Sequence, residues 1–171
     1  MRIFLIFVAS VLLVPLGGCG LRPLYAHGNQ GTAAKVLAGI EISPIEGQAG
    51  WLVQGALRDR LKPTQGSSGD GNRWRLDVRL DDAMAGPSLR QPDEGITGER
   101  RTLRARYHLV DAASGKVVLD ATAAKDAGID VTASGYATIA AEATSLERLS
   151  EAIADQIIAR VAVFANGAAG K

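Results

Sequence analysis

The chain has 171 residues with 19 basic and 18 acidic side chains, and a formal charge of +1. A balance this close to neutral provides no global field for binding nucleic acid or a charged membrane surface. The single cysteine, Cys19, rules out an internal disulfide, so stability has to come from ordinary apolar packing.

The first stretch, MRIFLIFVASVLLVPLGGC, sets where the rest of the chain resides. One basic residue, Arg2, precedes an apolar run from Ile3 to Leu16. That run has the length of a secretory signal core and falls short of the ~20 apolar residues a spanning helix needs. It ends in Leu16-Gly17-Gly18 directly before Cys19, the pattern of a bacterial lipobox. Cleavage before Cys19 would remove residues 1–18 as a lipoprotein signal peptide and leave the thiol to carry a diacylglyceryl group. A lone cysteine is unusual in an exported protein unless chemistry consumes it. Removing the leader takes away Arg2 and leaves a net formal charge of zero.

Residues 19–35 read as a lipidated N-terminal tether, because Gly20 to Thr32 mixes proline, glycine and polar residues. Gly20 is a residue that permits export to the outer membrane in bacteria that sort lipoproteins by this position. A single domain is expected over residues 36–165, followed by a flexible small-residue tail, 166–171.

Within the domain, Val36 to Ser43 is β-branched and reads as a first strand. From Gln48 to Lys62 the period becomes helical, with Val53, Leu57 and Leu61 spaced by four and Ala56 alongside. Pro63 ends this helix. Arg73 to Leu80 alternates strictly, with Trp74, Leu76, Val78 and Leu80 on one face and Arg73, Arg75, Asp77 and Arg79 on the other. The stretch from Ala83 to Gly98 holds two prolines and reads as a long connection. Glu99 to Val110 repeats the alternation, with Leu103, Ala105, Tyr107 and Leu109 opposed by Arg100, Thr102, Arg104, Arg106 and His108. Asp111 to Gly115 supplies hairpin-turn chemistry. A fourth strand from Lys116 to about Ala124, with a weaker extension toward Val131, places Val117, Leu119 and Ala121 inside. A long helix from Tyr136 to Phe164 carries the stripe Ile139, Ala143, Leu146, Leu149, Ile153, Ile157, Val161 and Phe164. Tyr136 at its start reads as a packing anchor.

The resulting fold class is α+β: a two-layer sandwich in the order β-α-β-β-β-α, with two helices on one face of a four-stranded mixed sheet. The first two strands, joined through a helix, are expected to be parallel.

Catalysis finds little in the sequence, and the chain reads as a non-enzyme. Only His27 and His108 are present, Gly115-Lys116 is followed by valine, and no nucleophile elbow precedes a helix. Ser114, His108 and Asp111 are sequence neighbours at a turn, a placement that rarely converges into a triad. Neither a metal site nor a cofactor is expected, apart from the covalent lipid on Cys19.

Several segments together resemble the LptE family of lipopolysaccharide-assembly lipoproteins. They are Cys19-Gly20-Leu21-Arg22-Pro23-Leu24-Tyr25, close to a CGFRPLY pattern of alphaproteobacterial members; the helix Leu52 to Leu61; Ala105 to Asp111 with Gly115; and Ser134 to Ala137 with Ala140, Ala141 and Glu142. The chain departs from the pattern at Thr144-Ser145, where an acidic residue followed by alanine is expected. The resemblance implies a lipid-anchored outer-membrane lipoprotein whose domain faces the periplasm or a barrel lumen. It would pair one-to-one with the LptD β-barrel as plug and assembly factor in lipopolysaccharide transport to the cell surface. The alternative is a periplasm-facing envelope lipoprotein that serves as a binding or scaffold subunit of a transport complex.

If the second and third strands are neighbours, Arg75, Arg79, Arg104 and Arg106 share the outer face. Such a cluster suits lipid A phosphates, inner-core carboxylates or the barrel wall, through bidentate hydrogen bonds. The plainer reading is a solvated strand face, with arginines serving solubility and edge protection.

Overall fold

A computed structural model describes residues 32–62, 73–86, 98–130 and 134–168. Residues 1–31, where a signal peptide, the lipidated Cys19 and most of a tether are expected, lie outside the described residues. The elements in order are α1 (Thr32–Ala38), β1 (Ile40–Ile42), α2 (Gly47–Leu61), β2 (Trp74–Ala85), β3 (Gly98–Asp111), β4 (Val117–Asp130) and α3 (Gly135–Ala168).

The four strands form one sheet in the order β1-β2-β3-β4. β1 pairs parallel with β2, and β2, β3 and β4 form an antiparallel meander. The α+β class, the mixed four-stranded sheet and the parallel first pair therefore stand as expected. One core joins α2 (Val53, Leu57), α3 (Leu146, Ile153, Ile157, Val161) and the inner positions of the sheet (Leu76, Leu103, Tyr107, Leu109). Both long helices thus cover the same face. Gly50 lets α2 start tight against the turn before it: a Cβ there would lie 2.6 Å from the Ile45 carbonyl oxygen.

The structure changes five local expectations. Val36, Leu37 and Ala38 form the end of α1, not the start of a strand, and β1 shrinks to three residues. The segment Thr32-Ala33-Ala34-Lys35, read as tether, is helix-favouring in composition. Val36 and Leu37 then pack against Ala162 and Ala165 of α3, which supplies the tertiary contact so short a helix needs. β2 runs on to Ala85, paired with Arg100, so residues 83–85 belong to the sheet and not to the connection.

At the other end of the meander, Val117 is 47% exposed where an inner position was expected. Leu109 pairs with Leu119 but Val110 with Val117, so Val118 is an extra residue at a register shift. The bulge turns Val118 toward the core in place of Val117. α3 extends through Asn166 to Ala168, residues read as tail.

The fifth change is at the start of α3. Ala143 and Ile139 are exposed, Ile139 at 67%, and Tyr136, expected to anchor the packing, is 89% exposed. The stripe outruns its partner here. The inner face of the sheet ends in Asp82, Met84 and Arg101, not in an apolar ladder, and Arg101 meets α3 through a hydrogen bond to the Glu142 carbonyl, at 3.3 Å.

Candidate functional site

The helices cover one side of the sheet, so the other side is the candidate surface. Its rows follow from the register. Asp77, His108 and Asp120 form one row, Arg79, Arg106 and Thr122 the next, and Asp81, Arg104 and Ala124 the third. Arg75 lies between Glu41 of β1 and Val110 of β3. All four predicted arginines share this face, with Arg79 and Arg106 directly opposite each other.

Their electrostatics divide them into two pairs. Arg75 is held by the Asp77 carboxylate two residues along its own strand, with Nε to Oδ1 at 3.0 Å and Nη2 to Oδ2 at 3.1 Å. Arg106 donates to Asp120 Oδ2 at 3.1 Å, and His108 Nε2 lies 3.2 Å from Oδ1 of the same carboxylate. Arg79 and Arg104 have no hydrogen-bonding or ion-pair partner among the described residues, although Asp81 faces Arg104 across the ladder. Like charges placed directly opposite repel. Asp120 relieves the Arg79–Arg106 pair from the β4 side.

The carboxylates respond accordingly. The hydrogen bond from Arg106 holds Asp120 below the ordinary carboxylate value, against a smaller opposing effect of burial. For Asp77, burial acts to raise the pKa, yet hydrogen bonds from Arg75 and from Ser43 Oγ (2.5 Å), together with the nearby positive charge of Arg75, turn the net direction down. The counter-ions Asp77 and Asp120 both occupy outward positions in the alternation. That signal was present in the sequence, but only the register shows which arginines they neutralise.

Arg101 was not singled out from sequence. It lies on the helix side of β3, where its Nε donates to Asp82 Oδ1 at 2.8 Å and its Nη2 to Oδ2 at 2.5 Å. With the Glu142 carbonyl it clips α3 to the sheet. A basic residue in an inward position of a strand was the available clue.

The catalytic constellation does not assemble. Asp111 Oδ1 accepts from the Ser114 amide at 2.8 Å and the Ser114 hydroxyl at 3.0 Å, closing a turn with Gly115 at φ +69°. His108 faces Asp120 instead. Among the described residues no group of three or more histidine, cysteine or acidic side chains is placed to hold a metal ion. No described helix is long and apolar enough to cross a membrane.

The LptE lipopolysaccharide-assembly family matches residues 37–161, a span running from the end of α1 through most of α3. The chain belongs to that family. Its fold recurs in a Caulobacter crescentus CB15 protein described as a lipoprotein, at 24% identity and TM-score 0.60, with 82% of this chain and 99% of that one covered. It recurs also in a minor lipoprotein from Acinetobacter baumannii, at 10% identity and TM-score 0.55, with 72% and 91% covered. At these identities the likeness speaks for the fold alone. No curated protein sequence matches the chain significantly.

Proposed function

We propose that this chain is an outer-membrane lipoprotein, anchored through a lipid on Cys19, that partners an LptD-type β-barrel in delivering lipopolysaccharide to the cell surface. The observation that carries this reading is the family match across the folded domain, residues 37–161. The sheet supports it physically. A domain seated in a polar barrel lumen needs a self-sufficient core on one side and hydrogen-bonding groups on the other. Arg79 and Arg104, which have no partner among the described residues, are the groups on the outer face best placed to take a phosphate or carboxylate.

Copurification tests the partnership. Tagged full-length protein extracted in detergent is expected to bring down a barrel of much larger mass in equal amount. Recovery of soluble envelope subunits without a barrel would favour the scaffold-subunit reading instead. Depletion of the protein should lower the folded barrel and surface lipopolysaccharide together, and normal levels of both would overturn the proposal.

A further inference from the structure

The sheet is open at β4, and the edge is long. β4 runs for 14 residues and, among the described residues, pairs on one side only, with β3. Half of its backbone N–H and C=O groups therefore point away from the sheet, a ready template for another strand. Beside this edge lies a groove of about 710 Å³, lined by residues 125–130 of β4 and, on α3, by Ala137, Ala141, Ser145 and Arg148 among others. Six of its fourteen lining residues are alanine or glycine, which leaves room for side chains that this chain does not supply.

Three polar features give the groove a preference. Ser145, a lining residue, is 8% exposed, and its enclosed hydroxyl has no hydrogen-bond partner among the described residues. Lys125 and Arg148 have no ion-pair partner among the described residues. The groove's acidic members are Asp126, which Arg100 engages at 3.2 Å, and Asp130, which is also without a partner. Lys125 follows the alternation of Ala123 and Ala127 and so lies on the helix side of the edge.

The geometry points to strand addition: β4 accepts an extended acidic segment of a partner protein as a fifth strand, with its carboxylate against Lys125 and Arg148 and its small apolar side chains in the alanine groove. Main-chain hydrogen bonds give such a complex its affinity, and the alternate side chains give it selectivity. An inward-pointing lysine on an edge also deters indiscriminate pairing. A carboxylate on the incoming strand is what would lift that block. The inference is independent of the barrel partnership, since it specifies the bound segment and not the protein that carries it.

The test uses the full-length protein in detergent and the probe peptide fluorescein-Thr-Val-Thr-Glu-Thr-Val-Thr-amide, with fluorescence anisotropy as the readout. Its valines fall opposite Ala123 and Ala127 and its glutamate opposite Lys125. Saturable binding is expected, weakened about fivefold by Lys125→Glu and restored when the peptide glutamate becomes lysine. N-methylation of alternate peptide amides, on one set or the other, should abolish binding because it removes the ladder bonds. Absence of binding would overturn the inference. So would binding insensitive to both N-methylated sets, binding unchanged by Lys125→Glu with the fold intact by circular dichroism, or β4 already occupied by a second copy in a stable dimer.

Discussion

The two faces of the sheet solve different problems with the same alternating strands. On the helix side, Leu76, Leu103, Tyr107 and Leu109 are essentially inaccessible, and each position is satisfied by α2 or α3. On the open side, the rows of Arg, Asp and His are only partly satisfied by one another. Asp77 and Asp120 each hold an arginine, while Arg79 and Arg104 have no partner among the described residues. The covered face is thus determined by the needs of this chain, and the open face is where an external partner can still gain from binding. Substitutions should therefore separate cleanly into those that cost stability and those that cost function.

The largest effect is expected on the covered face. Ile153→Ala removes a fully buried side chain at the centre of α3 and should cost about 2–5 kcal/mol in urea unfolding. Gly50→Ala should cost about 1–3 kcal/mol, since the new methyl meets the Ile45 carbonyl and the helix start has to shift. At the boundary between the faces, Arg101→Ala leaves the Asp82 carboxylate without its donor and removes the tie to the Glu142 carbonyl. A loss of about 1–3 kcal/mol is expected, and much less when Asp82→Ala is already present. On the open face, Arg79→Ala and Arg104→Ala should change stability by no more than about 0.5 kcal/mol. The same variants should weaken lipopolysaccharide binding by the purified protein. A large loss of stability from these two, or unchanged binding with both replaced, would break the contrast between the faces.

The smallest effect concerns acid. Asp77, Asp120 and Asp155 all titrate below 3.8, the ordinary carboxylate value, with Asp155 held down chiefly by Arg60. A group whose folded pKa is depressed adds stability above its unfolded value, and that stability is lost as pH falls through the folded one. Unfolding midpoints should therefore be flat near neutrality and decline below about pH 4. Asp77→Asn and Asp120→Asn should each make that decline shallower. The change should be slight, because these carboxylates are partly or largely exposed.

What the sequence made legible follows from periodicity. Strict alternation in Arg73 to Leu80 and Glu99 to Val110 placed the apolar inner residues of those segments, from Trp74 to Leu80 and from Leu103 to Leu109, because burial on one side leaves no freedom of register. The same argument put the four arginines on one face. It could not say that Arg106 is neutralised by Asp120, because that depends on how β4 pairs with β3, and the bulge at Val118 shifts that pairing near the turn. Val117 was misplaced for this reason. Tyr136 and Ile139 were misplaced because a helical stripe reports what a helix can bury, not how far its partner extends. Val36 and Leu37 were read as strand because their β-branched and apolar character is ambiguous in a short run, and distant Ala162 and Ala165 decide it.

That last contact also orders events in time. Val36 and Leu37 emerge early from any export channel, but the alanines they pack against are more than a hundred residues further along the chain. During synthesis and translocation, the segment nearest the proposed anchor therefore waits, undocked, until the far end of α3 has arrived. The β2-β3-β4 meander, with its near-neighbour pairings, can form meanwhile. Docking of α1 then closes the chain on itself and marks completion of the domain, so a chain truncated before Val161 would keep its sheet strands but lose the contact that seats its tethered end.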